Sequence, residues 1–353
     1  MHAPVNTTEI FAGQVVSDVA ATMSGVMTVI GHKLGLYRAL AGAGAVTSQQ
    51  LAEKTGLAER YVREWLNNQA AGGYVNYDPA TRTYCLPDAH VPVLADPESP
   101  MFLVPALEVA ASLWLDEEQI AAVFRSGNGI AWGAHHHRLF CGCESLFRPG
   151  YKTFLTSDWI AALNGAKDKL MRGAKVADVG CGHGASTIIL AKAFPNSTFV
   201  GFDNHAASIE TARRRAEEAG VSANIHFTTA DARSYPGNDY DLICFMDCLH
   251  DMGDPIGAAR HAAACLRPDG SVLLVEPAAG DAIEDNINPV SRLYYAASTA
   301  VCTPCSLSQD VGLALGAQAG EQRLSEVMQE AGFASVRRAA ATPFNIVLEA
   351  RLA

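Results

Sequence analysis

The chain is short of charge, and of positive charge above all. Charged residues make up 18% of its 353, with 26 Lys and Arg against 37 Asp and Glu, for a net charge of −11. Nucleic acid and anionic membrane surfaces are held by Lys and Arg neutralising phosphate, so neither is expected as a partner. Long uninterrupted apolar runs are also missing. The two nearest, Val15 to Ile30 and Met101 to Leu115, are broken by Asp18 and Glu108 and are short for a bilayer span, so they read as buried or interface helices. The opening M-H-A-P-V-N-T-T-E lacks a charged segment followed by an apolar one, and the nine cysteines are odd in number and scattered. A reducing, cytoplasmic setting is expected. Metal spacing is lacking too. Trp132-Gly133-Ala134-His135-His136-His137 with Cys141-x-Cys143, and Cys302-x-x-Cys305, are followed by no second Cys or His pair at finger-like spacing. No metal is expected; the first reads as a connecting segment with surface histidines, the second as packing.

What is present is a chain 49% hydrophobic and long enough for two cores. Its densest message is Val176 to Gly184, V-A-D-V-G-C-G-H-G. Val176, Ala177 and Val179 suit a parallel strand covered on both faces, and Gly180, Cys181 and Gly182 turn it toward a helix over Ala185 to Phe194. A ligand is expected where that turn presents its backbone N–H groups to a helix N-terminus. The third glycine, Gly184, comes two residues after the second; a dinucleotide fingerprint wants three. Asp178, two residues before the loop, would repel a diphosphate but suits a cationic or hydroxylated ligand.

From Lys175 onward strands and helices alternate, predicting a doubly wound parallel sheet. Strands are expected at Val176 to Val179, Thr198 to Phe202, Ile225 to Thr229, Tyr240 to Phe245 and Ser271 to Val275, the last after a turn Arg267-Pro268-Asp269-Gly270. Ser335 to Ala339 and Asn345 to Arg351 would form an antiparallel pair at the edge. Asp203, ending the second strand, can chelate the two hydroxyls of a ribose, and Asp231, ending the third, can accept from an exocyclic amine of adenine.

Upstream, Val15 to Leu40 has the pattern of one long apolar helix suited to dimerisation. Ser48 caps a helix from Gln49 to Thr55, Leu57 to Ala71 makes a second, and Tyr74 to Tyr77 with Thr83 to Leu86 makes a hairpin. These pieces make a winged helix. Its recognition-like helix pairs Arg60 and Arg63 with Glu59 and Glu64, and residues 1–100 hold 6 basic against 9 acidic residues, so packing is expected ahead of DNA reading.

Asp178, the glycine loop, Asp203, Asp231 and the L-R-P-D-G turn together resemble class I S-adenosylmethionine-dependent methyltransferases over roughly residues 145–353. With the winged helix and L-H-D-M at Leu249 to Met252, where that family often has L-H-D-W, the chain is similar to the small-molecule O-methyltransferases of plants and actinobacteria. The resemblance implies a seven-stranded Rossmann-like sheet, parallel with an antiparallel edge strand, an N-terminal helical winged-helix domain and a helical lid insertion. The expected division is 1–95 for dimerisation, 96–145 as a helical connector, 146–280 with 321–353 for the donor, and 281–320 as lid and acceptor pocket.

The resemblance also implies S-adenosylmethionine as donor and S-adenosylhomocysteine as product; the alanines, leucines and valines of 281–320 suggest a small, largely apolar acceptor, and the N-terminal apolar helix a homodimer. His250 takes the position of the general base, with Glu276 and Asp251 as candidate supporting acids. Tyr151 is the candidate aromatic over the donor. Asn204 and Met246 would line ribose and adenine, beside Gly180, Cys181, Gly182, Ala232 and Asp247. The alternative is a winged-helix DNA-binding regulator that senses S-adenosylmethionine.

Overall fold

The computed structural model describes residues 7–353; Met1 to Asn6, part of the opening run read above, lie outside the described residues. The chain forms two compact units, one reaching to Ala111 and including Cys141–Pro149, the other made of Ser112–Phe140 and Gly150–Ala353.

In the first unit the expected single helix is two, Thr7–Lys33 and Leu36–Leu40. Gly35 between them takes φ 73°, a left-handed turn that an uninterrupted helix cannot contain. The next helix, Ser48–Thr55, is capped by Thr47 instead of Ser48. The Thr47 Oγ1 accepts from the Gln50 N–H at 3.2 Å and Gln50 Oε1 accepts from the Thr47 N–H at 2.8 Å, a reciprocal capping box. The Ser48 hydroxyl turns away to Glu59. Helix Glu59–Ala71 and the hairpin of β1 (Asn76–Asp78) and β2 (Thr83–Cys85) complete the winged helix. Tyr37, Leu40, Leu51, Val62, Trp65 and Leu66 form its core.

Helix Thr7–Lys33 does not bury the apolar stripe expected of it. Only Thr28, Val29 and Gly31 are buried, whereas Val16, Val19, Met23, Val26 and Ile30 stand exposed at alternating three- and four-residue steps. This helix is long and apolar enough, with hydropathy 1.3, to cross a membrane by length and composition.

The second unit is built on a seven-stranded sheet: β3 (Lys175–Val179), β4 (Thr198–Asp203), β5 (Ile225–Thr229), β6 (Tyr240–Met246), β7 (Leu266–Pro277), β8 (Ser335–Ala341) and β9 (Asn345–Arg351). Their order is β5-β4-β3-β6-β7-β9-β8; β9 runs antiparallel to both β7 and β8, and the other pairs are parallel. The Arg267–Gly270 stretch, expected as a turn, lies within β7, where pairing with β6 shifts register between Tyr240 and Leu242. Strand order reverses beside β3, which places a crevice at the carboxyl ends of β3 and β6. Ala177, Ile243, Phe245, Val272 and Leu274 fill the centre and are sealed from solvent. Truncating one of the larger of these to alanine costs about 2–5 kcal/mol, so the sheet holds the crevice rigidly.

Candidate active site

At the crevice, Gly180, Gly182 and Gly184 all take positive φ, 77°, 52° and 77°. The outer two are also packed tightly. A Cβ on Gly180 would lie 2.7 Å from the Cys248 sulfur, and one on Gly184 would lie 2.6 Å from the Phe227 ring. A Cβ on Gly182 would meet nothing within 4 Å, and that glycine lines an open cavity.

Four of the loop's N–H groups are turned inward to the protein. The N–H groups of Gly180 and Cys181 donate to the Phe202 carbonyl at 2.8 and 3.0 Å, that of Gly182 to Asp203 Oδ2 at 2.9 Å, and that of Gly184 to the Cys181 carbonyl at 2.8 Å. Asp203 takes a second backbone donor, the His205 N–H, at 2.8 Å. Burial raises its pKa, and these two N–H bonds work against that rise.

The cavity has a volume of about 410 Å3, within the range of small-molecule sites. Six aspartates reach its wall, Asp203, Asp231, Asp247, Asp251, Asp254 and Asp310, against the single guanidinium of Arg233. Asp231 already holds that guanidinium, with both contacts at 3.1 Å, and its carboxyl is kept below the ordinary range by the same partner. Asp247 is strained as well as half-buried, at φ 52°. Its Oδ2 accepts from the Tyr151 hydroxyl and its Oδ1 from Asn345 Nδ2, each at 2.7 Å. Burial pushes the Asp247 pKa up to about 7 despite the Tyr151 hydrogen bond, with Glu276 adding to the rise.

Of the residues singled out in the sequence, Gly180, Gly182, Asp203, Asn204, Asp231, Ala232 and Asp247 line this cavity together. Asp178, Cys181, Met246, Tyr151 and His250 lie outside its lining. Asp178 is fully buried; its Oδ2 accepts from the Ser186 and Thr187 hydroxyls at 2.6 Å each, while its Oδ1 is buried with no hydrogen-bond partner. Cys181 is buried, as is Met246 at the end of β6. Tyr151 sits behind Asp247, its ring against Trp159.

His250 lies in a short turn, Leu249–Asp251, between two carboxylates. Its Nδ1 contacts Glu276 Oε2, and its Nε2 faces Asp251 Oδ1 at 3.2 Å. Glu276 is fixed in turn by the Leu249 N–H, which donates to Oε1 at 2.9 Å. Burial alone would lower the His250 pKa, but Glu276 and then Asp251 outweigh it and hold the ring well above its ordinary value. The imidazole therefore holds its proton to higher pH than an isolated histidine would.

Sequence reasoning passed over Trp132 and Gly133, which line the cavity, and His205, which packs on Phe140. It also took His135 for a surface residue. His135 is buried, with Nδ1 on Asp116 Oδ2 at 2.9 Å. The clasp on Asp247 comes from residues 96 and 98 positions away, a separation no local pattern reports.

Residues 170–332 match a methyltransferase domain family, and residues 21–96 match the Rv2258c-like winged HTH domain. The two matches lie in the order winged helix, then methyltransferase domain. Among curated relatives, it is 32% identical over 146 residues to the 27-O-demethylrifamycin SV methyltransferase of Amycolatopsis mediterranei, covering 40% of this chain and 51% of the relative. The chain spans about half the length of the curated relatives it matches. Whole-chain likeness comes from structures. Human N-acetylserotonin methyltransferase, solved with S-adenosylmethionine, superposes with TM-score 0.68 at 16% identity, covering 100% of this chain and 99% of that one. Mitomycin 7-O-methyltransferase superposes with TM-score 0.65 at 19% identity, covering 98% and 99%. At such identities the likeness shows the fold.

The cavity chemistry fits the donor of a methyltransferase domain. A dinucleotide needs free N–H groups or cations for its phosphates; here the N–H groups of Gly180, Cys181, Gly182 and Gly184 are bonded within the protein and aspartates surround the space. S-adenosylmethionine carries a sulfonium and an ammonium and no phosphate.

Proposed function

We propose that the protein transfers a methyl group from S-adenosylmethionine to a hydroxyl of a small, largely apolar acceptor. The observation that carries this reading is the cavity wall of six aspartates and one arginine over a loop whose Gly180, Cys181, Gly182 and Gly184 N–H groups are bonded within the protein. When bound, the donor supplies a methyl group on a sulfonium, a good leaving group. What remains for the protein is alignment and a proton acceptor, and alignment alone can contribute roughly 7–11 kcal/mol in favourable cases.

Asp203, its carboxylate oriented by the Gly182 and His205 N–H groups, is placed to take the ribose hydroxyls. Asp247, held by Tyr151 and Asn345, faces the same cavity and gives it negative charge once ionised. His250 is the candidate proton acceptor, its ring oriented by Glu276. Because its carboxylate neighbours raise its pKa, its basic form accumulates at higher pH than that of an ordinary histidine.

Dimerisation through helix Thr7–Lys33 is part of this reading. Val16, Val19, Met23, Val26 and Ile30 recur at the spacing of a helix–helix seam, and a second copy offers the same stripe. The nine free cysteines are in keeping with a reducing cytoplasm. The regulator reading is weaker, because Arg60 and Arg63 are paired to Glu64 and Glu59 on their own helix. Positive charge so compensated is a poor phosphate reader.

The test is transfer of labelled methyl from S-adenosylmethionine to a panel of phenols, fatty acids and polyketide-like compounds, with His250→Ala alongside. Turnover with a hydroxylated acceptor that falls about 10²–10⁴-fold in the variant supports the assignment. Equal turnover removes the base from it.

A further inference from the structure

On the reading of His250 as the base, we propose that Gln309 is its positioning residue, the side-chain amide clasping the turn that carries His250 and Asp251 to the helix Thr303–Leu307. Both ends of that amide are used. Nε2 donates to the Asp251 carbonyl at 3.1 Å and to the Cys305 carbonyl at 3.0 Å, and Oε1 accepts from the Gly253 N–H at 3.2 Å. Two donors and an acceptor on one neutral, planar group are what an amide supplies; neither a carboxylate nor an apolar side chain can replace them.

The same stretch of chain holds the rest of the turn. The fully buried Ser306 hydroxyl donates to the Met252 carbonyl at 2.8 Å, and the Leu313 N–H donates to the Gly253 carbonyl at 2.9 Å. Asp251, Met252 and Gly253 are thus each tied by their backbone to residues 306–313. Gly253 is what lets the two segments come so close. A Cβ there would lie 2.5 Å from the Gln309 Cβ and 2.7 Å from the Asp310 carbonyl oxygen.

The imidazole is held from two sides. Glu276, on β7, engages Nδ1 and accepts from the Leu249 N–H, which fixes the start of the turn. At the other end Asp251 sets its Oδ1 3.2 Å from Nε2, and the Cys302 sulfur lies within 4.8 Å of the ring and of the Asp251 carboxylate. Asp251 lines the cavity, and so does Gln309. Gln309 is the member of the clasp that grips Asp251 itself; without it the Asp251 backbone keeps the bond from its N–H to the Cys248 carbonyl at 3.2 Å. The clasp therefore decides where the carboxylate on the cavity side of the imidazole stands.

Histidine side-chain NMR on the full-length protein, with the His250 signal assigned by its absence in His250→Ala, tests the clasp without any acceptor. An adjacent carboxylate raises a histidine pKa by about 1 or more, so Gln309→Leu, which lets Asp251 withdraw, should make His250 titrate about 1 pH unit below wild type. Gly253→Ala forces the segments apart with the amide intact and should move it the same way, and binding of S-adenosylhomocysteine reports that each variant is folded. In methyl transfer to an acceptor found in the panel, Gln309→Leu should lower kcat by about 10–100-fold with KM for the donor little changed. The basic form would then be present at lower pH, so the rising limb of the pH–rate profile should move to lower pH with the NMR titration. A tie that serves stability alone would lower the melting temperature and leave that titration where it is. An unchanged His250 titration in the folded variants overturns the clasp and leaves the base reading standing, whereas wild-type turnover by His250→Ala removes the base and the clasp with it.

Discussion

Gly182 and Gly184 are two residues apart in one loop, yet alanine at each should fail in a different way. Alanine at Gly184 must hold φ 77° and place its Cβ 2.6 Å from Phe227 Cζ and 3.0 Å from the Ala212 Cβ. The left-handed backbone costs roughly 1–2 kcal/mol and overpacking a further 1–3 kcal/mol or so, a total near 2–5 kcal/mol. For a unit of this size each kcal/mol moves the melting temperature by about 2–4 °C, so Gly184→Ala should melt roughly 4–20 °C below wild type. Gly182→Ala has the backbone cost but nothing within 4 Å of its Cβ, which predicts a fall of only about 2–8 °C. Its methyl projects into space that a bound donor would use, so its larger loss should be in affinity. Differential scanning calorimetry with S-adenosylhomocysteine titration reads both quantities. If Gly182→Ala proves the less stable of the two and keeps wild-type affinity, the assignment of loop faces is wrong.

Three other consequences are open to measurement. Asp203→Asn presents an amide N–H where one of two backbone donors needs an acceptor, so at least one charge-assisted bond of about 1.5–3 kcal/mol is lost; isothermal titration should show S-adenosylhomocysteine bound about 10-fold or more weakly. Asp247, with its pKa raised to about 7, is neutral below that pH and charged above it; preference for the cationic donor over its neutral product should therefore grow as pH rises through 7 and be flat in Asp247→Asn. Val19→Glu with Met23→Glu should convert a dimer to monomers in sedimentation experiments while leaving donor affinity intact, and an unchanged sedimentation coefficient would remove helix Thr7–Lys33 from the interface.

Much of the sheet was legible because strands such as β3, β4 and β6 are short apolar runs that stop at a glycine or an aspartate; β5, Ile225–Thr229, matches its expected limits at both ends. Boundaries drifted where backbone geometry decided them. Gly35 splits a helix whose apolar pattern runs straight through it, and Thr47 takes the cap because Gln50 returns the bond. Asp203 and Asp231 could be placed at one cavity because the first ends β4 and the second follows β5 by two residues, and strand ends are fixed by topology. What surrounds Asp247 and His250 could not. Tyr151, Asn345, Glu276 and Cys302 reach those residues through tertiary folding, across separations on which periodicity is silent. The same holds for the raised pKa of His250, which depends on two carboxylates held against it and not on the residue type.

The central claim is that this acidic cavity takes a phosphate-free sulfonium donor, and calorimetry on the wild-type chain tests it most directly. S-adenosylhomocysteine should bind at one site per chain, and NADH at equal concentration should give no heat. Absence of S-adenosylhomocysteine binding, or binding of the dinucleotide in its place, would contradict the account.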